Sequence, residues 1–239
     1  MIAATTLLVV GVLIVHYRDR VLLADSFDGP DGLVASEFGP PRGGNWLLNS
    51  GTLYRTAGSG WTGVPDAASQ PPGNHSAVFR MYSVRDDFGD IAISLRLKVA
   101  RFVSSKAMPA ETYDGAHVWV RYRSERELYA VSVDRRDGRI VIKKKCAGGK
   151  SNGGTYYDLT PETLAPPIPF GQWQDISVTV ADQDDGSVRI TANRNGTVLE
   201  AIDHGTGCAP LRGRGAIGIR GDNAELFFTD LKVTAYREG

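Results

Sequence analysis

Three turn dipeptides, each flanked by alternating β-prone residues, constrain the fold of this chain most strongly. Asp137-Gly138, Asp185-Gly186 and Asn195-Gly196 each lie between two short runs in which apolar and polar residues alternate. Dipeptides of this kind supply the positive φ angles that tight hairpin turns require. The three turns therefore predict antiparallel strands that follow one another along the chain.

The same alternation continues elsewhere, and no stretch after the first 23 residues shows a convincing helical period. It predicts further strands at residues 91–99, 117–122, 215–220 and 226–236. The 28 glycines fit many short strands joined by tight turns. Three Pro- and Gly-rich stretches are expected to be loops of one domain: residues 39–44, 58–73 and 161–171. We therefore expect residues 24–239 to form a single all-β sandwich.

The charge balance narrows the range of partners. Lys plus Arg and Asp plus Glu both number 27, so the formal net charge is zero. Proteins that coat nucleic acid are usually strongly basic, because they neutralise phosphates. Nucleic acid is therefore not expected as a partner.

The first 23 residues form a separate, largely apolar segment. Residues 2–15 read IAATTLLVVGVLIV, which is shorter than the ~20 residues that span a bilayer but matches a signal-peptide core. No basic residue precedes this run, Arg18 and Arg20 follow it, and no clear cleavage site is present. We expect residues 1–23 to be an uncleaved signal-anchor or a signal-peptide-like segment, which would place residues 24–239 outside the cytoplasm. The alternative is a buried first strand.

The two cysteines offer a disulfide. Cys146 and Cys208 would close a loop of about 60 residues, and export would favour the bond because disulfides persist in oxidising compartments. The alternative is two small unpaired core residues. Two cysteines with four histidines argue against a structural zinc site.

Several motifs occur in the order of a known superfamily. They are Asp25–Gly29, Asn45-Trp46, Asn49–Leu53, Gly115–Lys145, Gly171–Trp173, Ile217–Ile219 and Phe227–Val233. Together they resemble the concanavalin A-like lectin/glucanase superfamily, including its LamG-like members, over nearly all of residues 25–236. The resemblance implies a jelly roll of two stacked antiparallel sheets, with glycans bound on a concave face.

The resemblance also implies a structural calcium ion. Its side-chain ligand here would be Asp230, and the carbonyl oxygens of Ser26 and Gly51 would complete the set. Calcium prefers such hard oxygen donors. The alternative is that Asp230 caps or pairs at a sheet edge.

The glucanase branch of the superfamily needs paired carboxylates in a Glu-x-Asp-x-x-Glu pattern, which this chain does not contain. No catalytic residue is therefore assigned. Some polysaccharide lyases of this fold instead use His, Tyr, Arg and Lys, and His117 with Tyr156 or Tyr157 could serve in that way.

The strand at residues 117–122 suggests a ligand-binding face. Alternation places Val118, Val120 and Tyr122 in the core and the intervening side chains on the opposite face. The expected ligand-binding set is His117, Trp119, Arg121, Arg123, Asp134, Lys143 and Lys145. An aromatic ring can stack on a sugar while guanidinium groups bind its acidic substituents. The alternative is a solvated face whose charges serve solubility.

These inferences predict an exported, membrane-anchored domain that binds glycan or another cell-surface partner and has no catalytic activity. The basic residues of the set would suit a glycan with acidic groups. One alternative is a lyase or hydrolase acting on acidic polysaccharide. A second is an accessory subunit of a membrane protein complex, in which the same face and Trp119 would contact a protein partner.

Overall fold

The structure is a computed structural model that describes residues 20–40, 44–69 and 76–236. Within these ranges, no helix is long and apolar enough to cross a membrane. Nearly all of the predicted N-terminal segment, residues 1–19, lies outside the described residues.

Strands dominate the described part of the chain, and the only helical element there is a 3-10 turn at Ala67–Ser69. The strands are β1 (Val21–Asp25), β2 (Gly32–Ser36), β3 (Trp46–Ser50), β4 (Thr52–Thr56), β5 (Ser59–Trp61), β6 (Val78–Ser83), β7 (Ile91–Phe102), β8 (Gly115–Ser124), β9 (Glu127–Arg135), β10 (Arg139–Ser151), β11 (Gly154–Asp158), β12 (Thr163–Leu164), β13 (Gln174–Asp182), β14 (Val188–Arg194), β15 (Thr197–Asp203), β16 (Ala216–Asp222) and β17 (Ala224–Ala235). The all-β prediction is confirmed.

The strands form two sheets in which every pairing of strands is antiparallel. A nine-stranded sheet has the order β15-β14-β13-β7-β17-β5-β4-β2, with β1 also paired to β17. An eight-stranded sheet has the order β11-β10-β9-β8-β16-β6-β3, with β12 also paired to β10. Long crossovers between non-consecutive strands join the sheets, as a jelly roll requires.

The hydrophobic core lies between the two sheets. In β7, buried residues alternate with more exposed ones from Ile91 to Val99, because successive side chains of a strand point to opposite faces. The same core receives Val118 and Val131 from the eight-stranded sheet and Phe228 from the nine-stranded sheet. This packing gives each sheet one buried face and leaves its other face available for polar side chains.

The predicted hairpins are present, with one difference in turn geometry. Asn195 and Gly196 both have positive φ, 48° and 89°, as a two-residue type I′ turn requires. In the other two turns only Gly138 and Gly186 have positive φ, 73° and 90°. Those turns are longer than two residues, since the flanking strands end before the Asp.

Strand β1 begins at Val21 and pairs with β17, so the sandwich begins before residue 24. Leu22 and Leu23 pack against the core. The last residues of the predicted apolar segment therefore contribute to the folded domain.

A β-bulge in β8 reverses the alternation predicted for the second half of that strand. The register with β9 shifts between Val120 and Ser124, and Arg121 has a positive φ of 51°. Arg121 consequently points inward and is 1% exposed, whereas Tyr122 turns to the outer face and stacks on Trp119 with ring centroids 5.2 Å apart. The predicted core position of Tyr122 and outer position of Arg121 were wrong for this reason.

The predicted disulfide between Cys146 and Cys208 is confirmed. It ties β10 to the segment after β15. Next to it, the buried ammonium of Lys144 lies 2.8 Å from a carboxylate oxygen of Asp203 and donates to the Cys208 carbonyl. The hydroxyl of Tyr129 donates to the same carboxylate at 2.6 Å. The bond therefore reinforces a region that a buried ion pair already fixes.

We expect removal of this disulfide by Cys146→Ala with Cys208→Ala to lower the free energy of unfolding by about 4 kcal/mol, because the unfolded chain loses a closed loop. The cysteines are separated by 62 positions. Urea unfolding would measure the change. A reducing agent should lower the stability of the wild type and leave the double variant unaffected. Equal stability of the two proteins without reductant would contradict the prediction.

Candidate functional site

A groove of about 340 Å³ lies on the outer face of the eight-stranded sheet. Its floor comes from β8 and β9, where side chains that alternate with core residues point outward. The residues that line it are Arg80, Tyr113, His117, Trp119, Ala130, Ser132, Lys143, Lys150, Ser151, Asn152, Tyr156, Arg220 and Asp222.

Basic side chains surround the groove from three directions. Arg80 comes from β6, Arg220 from β16, and Lys143 and Lys150 from β10. Asp222 is the only carboxylate among the lining residues. Behind the lining, Glu125 pairs with Arg80 at 3.2 Å and Asp158 pairs with Lys143 at 3.0 Å. The positive charge without a partner among the described residues is therefore that of Lys150 and of the buried Lys145 beside the groove.

Asp222 organises the centre of the groove. It is fully buried, and its carboxylate accepts two hydrogen bonds from Arg220, at 2.6 and 2.7 Å. Burial alone would raise the pKa of Asp222, but Arg220 and His117 hold it well below its ordinary value. The carboxylate is therefore ionised at neutral pH, and the guanidinium is fixed in a bidentate pair.

His117 lies between Asp222 and Ser132. Its Nε2 is 3.2 Å from a carboxylate oxygen of Asp222, and its Nδ1 is 2.8 Å from the Ser132 hydroxyl. Burial lowers the pKa of His117 despite the opposing effect of Asp222, so the imidazole is neutral at pH 7. The Nε2–Asp222 contact is electrostatic, since Nε2 makes no hydrogen bond among the described residues. A neutral ring protonated at Nε2 has its free lone pair on Nδ1, facing Ser132.

Trp119 lines the groove but is not the exposed platform that its strand position suggested. It is only 2% exposed, because Tyr122 covers one face of the indole at an interplanar angle of 6°. Tyr82 continues the stack, with its ring centroid 4.9 Å from that of Tyr122. The indole Nε1 of Trp119 has no hydrogen-bond partner among the described residues. A buried donor without a partner is costly, so a ligand acceptor in the groove would stabilise it.

Lys145 lies beside the groove and is almost fully buried. Its ammonium is 4.9 Å from the centre of the Tyr156 ring. Burial, followed by repulsion from Arg220 and Arg80, lowers its pKa to about 8. The protonated form of Lys145 therefore lowers the stability of the folded protein.

The structure separates the remaining predicted ligand residues from the groove. Arg121 forms ion pairs with Asp90 and Asp182 on the inner side, at 2.7 and 3.2 Å. Arg123 donates to the Arg212 carbonyl and borders a different depression of the same sheet, next to Tyr122. Of the predicted set, the groove thus brings together His117, Trp119 and Lys143, with Lys145 adjacent.

Asp134 is also not in the groove, contrary to the prediction. A second register shift, between the pairs Ala116–Asp134 and His117–Ser132, turns this side chain inward. There its carboxylate lies 3.1 Å from Arg194 and accepts a hydrogen bond from Gln174 at 2.7 Å. Burial raises its pKa, against the effects of Arg194 and Gln174.

Sequence reasoning did not identify Arg80, Arg220 and Asp222 as groove residues. They lie on β6 and β16, which the hairpin signals do not connect to β8, although β16 is its neighbour in the sheet. A usable signal was present for β16, since Arg220 and Asp222 are spaced two apart in a strand and share one face.

The predicted calcium ligands do not come together. The Ser26 carbonyl accepts a hydrogen bond from the Thr229 hydroxyl, which also lies 3.5 Å from the Gly58 carbonyl, beyond the end of β4. Gly51 precedes β4, a strand of five residues that spans about 16 Å. Ligand distances of ~2.3–2.6 Å around one ion are therefore impossible for this set.

Asp230 is exposed on the outer face of the nine-stranded sheet, in an open depression of about 430 Å³ that also contains Arg96 and Asp175. Among the described residues, no group of three or more His, Cys, Asp or Glu could hold a metal ion. This depression has no aromatic side chain in its lining, and its charged groups are exposed. The groove on the other sheet is therefore the stronger candidate for a functional site.

We expect Lys145→Met to raise the free energy of unfolding at pH 7 by roughly 1 to 3 kcal/mol, because it removes a buried cation beside two arginines. In the wild type, the unfolded chain binds more protons than the folded protein between pH 8 and 10.5, the folded and ordinary pKa values of this lysine. Stability should therefore rise across that interval in the wild type and not in the variant. Thermal melts at several pH values measure both effects. Lys232→Met, on the exposed face of β17, is the control, and equal behaviour of the two variants would refute the assignment.

No protein-family model matches the chain, and no curated protein matches it in sequence. Solved structures match it by fold. A Bacillus subtilis protein described as of unknown function with a galectin-like fold is 12% identical, covers 92% of this chain and 98% of its own, and gives a TM-score of 0.60. The carbohydrate-binding module CBM66 from Bacillus subtilis is 12% identical, with 79% and 94% covered and a TM-score of 0.54.

The exoplasmic/lumenal domain of VIP36, solved in a Ca²⁺/Man3GlcNAc-bound form, is 10% identical, with 81% and 85% covered and a TM-score of 0.51. At these identities the likeness concerns the fold. Two antiparallel sheets, the order of the motifs and these neighbours agree: the chain has the concanavalin A-like jelly-roll fold.

Proposed function

We propose that the groove binds an acidic glycan. One observation carries this proposal: four basic side chains line a cavity that contains a single carboxylate, and that carboxylate is already neutralised by Arg220. Arg80 and Lys143 have carboxylate partners just outside the lining, Glu125 at 3.2 Å and Asp158 at 3.0 Å. The cations of Lys150 and of the adjacent Lys145 have no ion pair among the described residues. An anionic ligand would neutralise this charge. The bidentate pair of Arg220 with Asp222 fixes the position of the Arg220 guanidinium before the ligand binds.

A sugar accounts for the other features of the groove. The unpartnered Nε1 of Trp119 and the Tyr156 hydroxyl are suited to hydroxyl groups of a pyranose, and the Tyr156 ring offers an apolar edge. The same fold serves carbohydrate binding in CBM66 and, in complex with Man3GlcNAc, in VIP36. The acidic character of the ligand is inferred from this chain's own lysines and arginines.

The location follows from the disulfide. A bond between Cys146 and Cys208 is typical of oxidising compartments, which supports a domain that acts outside the cytoplasm, where glycans are accessible. In this proposal, residues 1–23 export the sandwich and anchor it to the membrane. A protein partner would then be the second kind of ligand for the same face.

A lyase is the second candidate, because the groove contains the residue types that such chemistry uses. The Tyr156 hydroxyl lies 3.2 Å from Arg220, and His117 is on the neighbouring part of the floor. Arg220 would neutralise a uronate carboxylate while Tyr156 or His117 removes the adjacent proton. Binding without turnover is favoured. Arg220 already donates to both carboxylate oxygens of Asp222, so it is less suited to neutralise a uronate.

We expect the wild type to bind polygalacturonate or chondroitin sulfate and to ignore neutral dextran, with affinity falling as salt rises. The double change Lys143→Gln with Lys150→Gln should weaken binding about ten-fold, since two screened charge contacts of about 0.7 kcal/mol each are lost. Isothermal titration calorimetry would measure the affinity.

The matched control removes the same charge from the other sheet. Arg96→Gln with Lys232→Gln changes two exposed cations of the nine-stranded sheet and should leave the affinity unchanged. Equal losses in the two double variants, or equal binding of dextran, would argue against the groove as an anion site.

We expect binding to weaken about three-fold between pH 7 and pH 9.5. The cation at Lys145 is present below its pKa of about 8 and is lost above it. Lys145→Arg should remove this pH dependence, because guanidinium stays protonated in this range. A pH dependence that persists in Lys145→Arg would exclude Lys145 as its origin.

Incubation of the wild type with polygalacturonate, monitored by the absorbance of the unsaturated product, tests the lyase. Binding without any absorbance change supports the non-catalytic function. An absorbance increase that is lost in Tyr156→Phe would establish the lyase instead.

A further inference from the structure

We propose that Ser132, His117 and Asp222 form a nucleophilic acyl-transfer site in the floor of the groove, which would remove ester-linked acyl groups from a bound acidic glycan. The inference rests on the proposed function for its substrate class. It adds an activity that the motifs, the fold and the neighbours do not suggest.

Ser132 and His117 form a hydrogen bond, and Asp222 lies in electrostatic contact with the other ring nitrogen, which makes no hydrogen bond among the described residues. Ser132 Oγ is 2.8 Å from Nδ1 of His117, and Nε2 of the same ring is 3.2 Å from Oδ2 of Asp222. This is the order nucleophile, base, carboxylate that serine hydrolases use, with the two ring nitrogens exchanged. Strand pairing fixes the geometry, because His117 and Ser132 are direct cross-strand partners on β8 and β9.

The ionisation states suit this chemistry. Asp222 is held ionised by Arg220, so it can orient the ring and stabilise the imidazolium that forms during the reaction. Burial keeps His117 neutral at pH 7, so Nδ1 can accept the hydroxyl proton of Ser132. Both requirements are met by groups whose positions are already fixed by packing.

Trp119 supplies the remaining element. Its buried Nε1 has no partner in the described part of the chain and lines the same groove, on β8 two residues from His117. An unpaired donor in the same groove is suited to stabilise the negative charge that develops on an ester carbonyl oxygen.

The reaction consumes one water per ester. Ser132 Oγ bonds to the ester carbonyl carbon as its proton passes to His117 Nδ1. The bond to the sugar oxygen then breaks, and that oxygen takes the proton from His117. Water attacks the acyl-serine, returns a proton through His117 to Ser132, and releases a carboxylic acid and a free sugar hydroxyl.

A fluorophosphonate probe tests the nucleophile directly on the full chain. We expect the wild type to gain the mass of one probe, mapped to Ser132 by peptide mass spectrometry, and Ser132→Ala to gain none. Ser94→Ala, on the exposed face of β7, is the control and should label like the wild type. Absence of an adduct on the wild type, or an adduct that persists in Ser132→Ala, would overturn the proposal.

Hydrolysis of p-nitrophenyl acetate gives a second readout. Ser132→Ala should lower the rate at least about 100-fold, the lower range for loss of such a group, while its melting temperature shows that it remains folded. A rate equal to that of the wild type would refute the site. Polygalacturonate binding by the same wild-type preparation separates the two ideas: binding without labelling contradicts only the acyl-transfer site, whereas labelling without binding contradicts the glycan function.

Discussion

The ion pair between Arg220 and Asp222 is the interaction on which the groove depends. The neighbouring strands β6 and β16 bring Arg80 and Arg220 together, and Lys145 approaches them from β10. Burial makes the repulsion among these three cations costly. Asp222 is the one lining carboxylate that offsets this charge. It also lies 3.2 Å from Nε2 of His117 on the adjacent strand, so a single carboxylate dominates the electrostatics of the floor.

Two features of the groove lower the stability of the folded protein, which is a common property of functional sites. A buried lysine whose pKa falls to about 8 and a buried indole N–H without a partner in the described residues both destabilise the folded protein. The disulfide and the buried Lys144–Asp203 pair both join β10 to the end of β15 and the segment that follows it. They fix the strand that carries Lys143 and Lys145, and so hold the cations in position.

Much of the fold could be predicted from the sequence, because turn dipeptides and alternation act locally. They identified the meander from β13 to β15, the hairpin of β9 and β10, and the strands β7, β8, β16 and β17. The short strands β2, β5 and β12 have no comparable signal, since each is defined by its partners and not by its own composition. The disulfide pairing followed from there being two cysteines in the chain.

The site was predicted less completely, and the reason is the loss of alternation at bulges. Each inserted residue moves the side chains that follow to the opposite face of the sheet. This moved Arg121 and Asp134 inward and brought Tyr122 out to cover Trp119. Arg80 and Arg220 line the groove because β6 and β16 follow β8 in the order of the sheet. That order depends on long-range strand pairing, which the local sequence pattern does not reveal.

The indole N–H signals in a two-dimensional ¹⁵N–¹H spectrum test the central claim most directly, because each of the four tryptophans gives one signal. Trp46 and Trp61 already donate to Asp25 and Glu225, at 2.7 and 3.0 Å, whereas the Trp119 donor has no partner in the described structure. Titration with a short polygalacturonate oligomer should shift the Trp119 signal strongly and leave those of Trp46 and Trp61 in place. A saturating titration that moves Trp61 on the other sheet, or none of the four signals, would contradict binding in the groove.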